Sequence, residues 1–132
     1  MEKNELQGLK VFVVEDVDLI AQLLRDLVEE LGCKVAHVSN VVADAIVFAE
    51  TGDFDAALLD VEIAGQDVHP VVERLAARDL PFAFVTGRGL ARPKTGPYRD
   101  RPVLNKPISK PGLEKILLLL ARMPRRSPQD LA

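Results

Sequence analysis

The strongest constraint on the fold is a set of short apolar runs that stop abruptly at a polar residue. Val11-Phe12-Val13-Val14 ends at Glu15-Asp16, Ala56-Ala57-Leu58-Leu59 ends at Asp60, and Phe82-Ala83-Phe84-Val85 ends at Thr86. Each run is too short for a helix, and continuous apolar character suits a strand covered on both faces. Between the runs, apolar residues recur at helical spacing. Val17 to Leu31 carries Ile20, Leu23, Leu24, Leu27 and Leu31 and stops at Gly32. Lys34 to Val38 reads as a second strand. Ser39-Asn40 is expected to cap a second helix that runs to about Glu50 and closes at Thr51-Gly52. A loop with Gly65 leads to a third helix, about Asp67 to Arg78, where Pro70 is tolerable near the first turn. Pro102-Val103-Leu104 makes a brief fifth strand. Ser109 caps a last helix with Pro111 in its first turn, ending near Met123-Pro124. The stretch from Gly87 to Arg101 carries Gly87, Gly89, Pro93, Gly96 and Pro97, so at most a short helix is expected there.

Strand and helix alternate five times, which implies a parallel sheet with helices on both faces. Right-handed crossovers make an open, doubly wound sheet the natural closure. The chain has 132 residues, enough for one domain and too few for an eight-fold barrel. The expected fold is therefore α/β: a flavodoxin-like (βα)5 sheet of five parallel strands in the order 2-1-3-4-5. Its domain spans 9–122, between a lead-in of 1–8 and a tail of 123–132.

Composition removes several functional classes. The formal charge of -3 leaves no basic excess to drive nucleic-acid binding. Arg122, Arg125 and Arg126 form a short cluster interrupted by Pro124, which reads as a solvated tail. Cys33 is the single cysteine, so no internal disulfide can form, and a small packed residue at a helix end is expected. Met1 to Lys10 is charged and polar, unlike a signal peptide, and no apolar run reaches membrane-spanning length. The expected compartment is the cytoplasm, with neither a nucleic acid nor a membrane as partner. His37 and His69 lie away from the strand-end acids and are expected to serve packing.

Ligands of an open α/β sheet bind at the carboxyl ends of the strands. The first strand delivers Glu15 and Asp16 there, the third Asp60, the fourth Thr86 and Gly87, and the fifth Lys106 and Pro107. Three crowded carboxylates repel one another unless a cation sits among them, and oxygen donors of this kind suit Mg²⁺. Asp60 can then act as a carboxylate nucleophile and become an acyl phosphate. Lys106 can neutralise phosphoryl charge, the Thr86 hydroxyl can donate to phosphoryl oxygens, and Gly87 allows close backbone approach.

This ordered set resembles a response-regulator receiver domain, similar to the chemotaxis receiver. The residues that carry the resemblance are VFVVED, ALLDVEI around Asp60, Thr86-Gly87 and Lys106-Pro107, and the match covers about residues 9–122. The resemblance implies that Asp60 is the phosphoacceptor and that its phosphoryl group comes from a sensor histidine kinase. It implies that Asp16 ligates Mg²⁺ directly, Glu15 through a water, and Glu62 through its backbone carbonyl. Thr86 and Lys106 would contact the phosphoryl group, and the Lys106–Pro107 peptide would be cis. The implied function is a two-component signalling switch whose phosphorylated state alters protein–protein binding. It would not be an enzyme beyond its own phosphorylation and dephosphorylation. A phosphate sink and a degenerate receiver serving only as an interaction module are the alternatives; the complete set of Glu15, Asp16, Asp60, Thr86 and Lys106 argues against the second. A haloacid-dehalogenase-like phosphatase would need an acid pair in DxD spacing, where Glu62 stands instead. No GxGxxG or GxxxxGK[ST] run exists for a nucleotide-binding domain.

PFAFVTGRG and RPVLNKP also resemble the FAT GUY subgroup of single-domain receivers, which work with HWE-type histidine kinases. Val85 and Arg88 depart from that signature. Most receivers carry an aromatic residue three positions before the lysine; Val103 stands here, so the aromatic relay is missing. The 87–101 segment is expected to carry the signal instead, with Tyr98 read as a loop residue packing on the surface and, alternatively, as a substitute reporter; Glu62 and Arg88 read either as a pair across the mouth of the site or as two solvated charges. In the last helix Leu118 or Leu119 is expected outside the core stripe, on a face formed by the fourth helix, fifth strand and fifth helix that would hold a protein partner or a second copy as a homodimer. About ten residues follow this helix, so output is expected through binding rather than through an attached module.

Overall fold

The structure, a computed structural model, describes residues 5–87 and 101–123, without the side chain of Glu62. Its first strand, β1 (Lys10–Val14), leads to helix α1 (Asp18–Glu30), strand β2 (Lys34–Ser39), helix α2 (Val42–Thr51) and strand β3 (Ala56–Asp60). Two short strands follow, β4 (Glu62–Ile63) and β5 (Gln66–Asp67). Then come helix α3 (His69–Ala77), β6 (Phe82–Thr86), β7 (Val103–Asn105) and helix α4 (Lys110–Arg122). The main sheet has the order β2-β1-β3-β6-β7, with every pair parallel. Once the small β4–β5 pair is set aside, this is the expected 2-1-3-4-5.

Because side chains alternate along a strand, each apolar run feeds two cores. Val11, Val13, Ala56, Leu58, Ala83 and Val85 pack with α1 and α4 through Leu24, Val28, Leu113 and Leu117. Phe12, Val14, Ala57, Leu59, Phe82 and Phe84 face the other way, onto Ala45, Ala49, Val71 and Leu75 of α2 and α3. The lead-in joins the first core: Leu6 is fully buried, and Glu5 pairs with Arg122 at 2.8 Å.

Local sequence explains where elements stop. Gly32, at φ +92°, closes α1: its N–H donates to the Glu29 carbonyl, and the Cys33 N–H donates back to Val28 at 3.1 Å. Ser109 caps α4 by accepting from the Gly112 N–H at 3.1 Å, with Pro111 in the first turn.

Three local expectations need correction. Helix α2 is not capped by Ser39-Asn40. Ser39 extends β2, paired with Val14, and its buried hydroxyl donates to the Asp44 carboxylate in the first turn of α2, so Val41 takes the cap position. On α1 the buried residues are Leu24 and Val28, while Leu23 stays 39% exposed, because the stripe over the sheet is narrower than the apolar set. Helix α3 starts at His69 rather than Asp67, since the residues before it form the β4–β5 hairpin. Arg88, Tyr98 and the segment expected to carry the signal lie outside the described residues, except for its flanks, Gly87 and Arg101.

Candidate functional site

Strands β1 and β3 are adjacent and in register, Val14 opposite Leu59, so the residues that follow them emerge side by side. Glu15 and Asp16 leave β1 just as Asp60 ends β3. One carboxylate oxygen from each of the three lies within 4.8 Å of the others. Strand β6 brings Thr86, buried, to the same edge, and β7 runs beside it with Thr86 opposite Asn105. The Lys106 N–H donates to the Thr86 carbonyl at 2.8 Å, which fixes the start of the lysine side chain. Its ammonium then reaches back across β6 to lie 3.3 Å from both Asp60 Oδ2 and Glu15 Oε1. The Lys106–Pro107 peptide is cis.

The three acids sit in different surroundings. Glu15 is 1% exposed, whereas Asp16 and Asp60 are half-buried. Glu15 Oε2 accepts from the Val17 N–H at 3.1 Å, but Oε1 is buried with no hydrogen-bond partner of good geometry. Burial pushes the Glu15 carboxyl up to about 7; the Val17 N–H opposes that rise, Asp60 adds to it, and Lys106 offsets part of it. For Lys106, burial works against the charge, but Glu15 and Asp60 outweigh it and its pKa is raised. Asp16 Oδ2 accepts from the Ala64 N–H at 2.8 Å, a contact across 48 residues of sequence.

A buried carboxylate oxygen whose one near partner is the shared Lys106 ammonium at 3.3 Å, without a well-aligned hydrogen bond, sits beside two further carboxylates, and the three acids call for more positive charge than one lysine supplies. The donor set is all oxygen, which fits Mg²⁺ better than a softer metal. The strand-end residues expected from the sequence thus meet at one edge: Glu15, Asp16, Asp60, Thr86 and Lys106. Glu62 lies in β4, two residues beyond Asp60. His37 and His69 stand apart, as expected. His37 stacks on Phe48 at 4.6 Å and bonds Asp44 at 2.8 Å, while His69 lies 3.8 Å from Glu73. Cys33 is buried, with its thiol pushed up to about 11 by burial. Sequence reasoning missed the Ala64 N–H on Asp16. Its only signal was Ala64-Gly65 between Ile63 and Gln66, a weak hairpin cue.

Residues 11–117 match the family model described as the response regulator receiver domain. The solution structure of SdrG from Sphingomonas melonis Fr1 is 40% identical, covering 89% of this chain and 98% of that one, with a TM-score of 0.75. A second solution structure, the BeF3-activated conformation of SdrG from Pseudomonas melonis Fr1, is 39% identical with a TM-score of 0.72, covering 92% of this chain and 99% of that one. The transcriptional regulatory protein TcrA of Mycobacterium tuberculosis is 30% identical over 95% of this chain and 49% of its own length. The chain thus spans about half or less of the curated relatives it matches. No helix among the described residues is long and apolar enough to cross a membrane. A family match over most of its length, on this sheet and with these acids at its strand ends, means that the chain belongs to the response regulator receiver domains of two-component signalling.

Proposed function

We propose that Asp60 takes a phosphoryl group from the phosphohistidine of a sensor kinase, and that the phosphorylated chain changes which protein it binds. The observation that carries this is the Lys106 ammonium, 3.3 Å from both Asp60 and Glu15 at an edge where three carboxylates converge. In the step itself, an Asp60 carboxylate oxygen bonds to phosphorus as the phosphorus–nitrogen bond of the histidine breaks. The bonding electron pair stays on the imidazole nitrogen. Glu15, Asp16, Asp60 and the Glu62 backbone carbonyl would hold Mg²⁺, which supplies screening of carboxylate charge against the anionic phosphoryl group. Lys106 holds Asp60 Oδ2, which orients the carboxylate for attack by its other oxygen. The Thr86 hydroxyl donates to a phosphoryl oxygen of the product.

The receiver unit runs over 9–122, with the 1–8 lead-in packed against it through Leu6 and the 123–132 tail following it in sequence. It works in the cytoplasm, in the manner of the FAT GUY subgroup, with an HWE-type kinase upstream. Output passes to a protein partner or a second copy through the face of β7 and α4. There Leu119 is 46% exposed, beside a groove of about 310 Å³ lined by Leu118, Lys115 and Arg122.

The test is incubation with Mg²⁺ and acetyl phosphate, followed by a search for an acid-stable, hydroxylamine-labile adduct. Wild type is expected to label and Asp60→Ala is not. A wild type that neither labels nor binds beryllofluoride would reduce the chain to an interaction module. Steady phosphate release over many turnovers would make it an enzyme.

A further inference from the structure

The residues after Asp60 form a small antiparallel hairpin: Glu62 pairs with Asp67 and Ile63 with Gln66. At its tip Ala64 and Gly65 both take positive φ, +51° and +79°. Two successive left-handed residues define a tight hairpin turn whose twist matches the flanking strands. Glycine suits such a position, but alanine resists it, at a cost of about 1–2 kcal/mol. Something else therefore holds Ala64 there. Three anchors are present. Ile63 is fully buried in the α2–α3 core, the Val68 N–H donates to the Val61 carbonyl at 3.2 Å, and the Ala64 N–H donates to Asp16 Oδ2 at 2.8 Å. The last of these joins the hairpin tip to the acidic edge, since Asp16 is one of the three carboxylates gathered there.

We propose that the β4–β5 hairpin is a positioning device for the metal site, in which the Ala64 N–H fixes the orientation of the Asp16 carboxylate. This rests on the reading that Glu15, Asp16 and Asp60 hold a divalent cation. An ionised carboxylate has room for about four hydrogen bonds or ligand contacts, so one held oxygen leaves the other free for a cation. Holding Asp16 in one rotamer before the ion arrives removes an ordering cost from binding. The same hairpin carries the Glu62 carbonyl in β4, so its turn geometry sets two of the proposed donors together. Outer partners of this kind typically change metal affinity about 10- to 100-fold. The donor is a backbone group, which no side-chain motif reveals.

The experiment removes the N–H without touching any acid. Replacing the Ala64 residue by lactate, through an ester-for-amide substitution, deletes the donor and keeps the methyl group. Gly65→Val is the second variant: a Cβ there meets nothing within 4 Å, so it acts through the φ of +79° alone. Ala64→Gly keeps the N–H and suits the positive φ, and serves as the control. Mg²⁺ affinity is read by titration calorimetry, folding by urea midpoint in a chelator, and the Ala64 amide by hydrogen exchange in metal-free wild type. The expected result is about tenfold weaker Mg²⁺ binding for the ester and for Gly65→Val, with wild-type affinity or better in Ala64→Gly. The Ala64 amide is protected before any metal is added. Equal Mg²⁺ affinity in wild type and either weakened variant, or an Ala64 amide that exchanges freely in metal-free protein, overturns the positioning role. Absence of Mg²⁺ binding by wild type overturns the metal reading itself, together with this inference.

Discussion

Replacing Glu15 by glutamine is expected to stabilise the metal-free protein above neutral pH. The carboxyl is 1% exposed, one of its oxygens has only the Lys106 ammonium at 3.3 Å and no well-aligned hydrogen bond, and its pKa is raised from 4.5 to about 7. Burial is the main cause and the Asp60 charge a further one. A group whose folded-state pKa lies above its unfolded value favours the fold while protonated. That contribution is complete below about pH 4.5 and is lost as pH rises through about 7. A gap of about 2.5 units at 1.36 kcal/mol per unit makes wild type about 3 kcal/mol less stable at pH 8 than it would be with Glu15 neutral. Glu15→Gln has a neutral side chain of nearly the same shape, and Lys106 keeps its contact with Asp60. The variant is therefore expected to exceed wild type by about 3 kcal/mol at pH 8 and by less than about 1 kcal/mol at pH 5. Equilibrium urea unfolding in a chelator, at several pH values between these, measures the difference directly. Added Mg²⁺ acts in the opposite sense. At ten times its dissociation constant it raises wild type by about 1.4 kcal/mol and Glu15→Gln by less. A stability difference that stays flat between pH 5 and 8 would refute the claim that Lys106 and the Val17 N–H compensate the burial of Glu15 only in part.

Two further substitutions test the packing around the site. Leu6→Ala should cost about 2–5 kcal/mol in urea unfolding, because Leu6 is 1% exposed within the α1–α4 core; an unchanged midpoint would remove the lead-in from the folded body. Arg78→Ala should lower thermal stability by about 1–3 kcal/mol, since its guanidinium donates to the Ala49 and Gly52 carbonyls at the end of α2 and lies 5.3 Å over the Phe54 ring. Arg78→Lys recovers little of this loss, because a single ammonium cannot reproduce the fork.

The strands and the convergence of the acids were legible because they depend on short-range patterns. A run such as Ala56 to Leu59 is apolar at every position, which already says that both faces are covered, and the acid that follows must then lie at a strand end. Helix α1 shows where that kind of legibility stops. Ile20, Leu23, Leu24, Leu27 and Leu31 span a broader arc than the sheet can cover, and only the docking angle decides that Val28 goes in and Leu23 stays out. The Ser39–Asp44 contact was hidden because a serine before a helix normally caps its backbone, whereas here strand pairing with Val14 holds it in β2. The β4–β5 hairpin was hidden for a related reason. Alanine disfavours the left-handed region, so Ala64-Gly65 is a poor turn signal by itself, and the Asp16 carboxylate that accepts from the Ala64 N–H comes from a distant part of the chain. Lys106 was assigned to phosphoryl contact from its place after the fifth strand, but its equal distance to Glu15 and Asp60 depends on how far β7 carries it along β6.

The Glu5–Arg122 pair has a consequence for handling and for attachment. It brings the first described residues against the end of α4, so the two ends of the folded body meet at one spot. That spot lies near Gly32, whose carbonyl accepts from the Gly8 N–H, at the pole where β1 and β2 begin. The carboxylates occupy the opposite pole. Residues 5 and 123 therefore both lie on the far side of the molecule from those carboxylates. A perturbation introduced at that spot, such as a change to Glu5 or Arg122, therefore acts a full strand length away from the acidic edge.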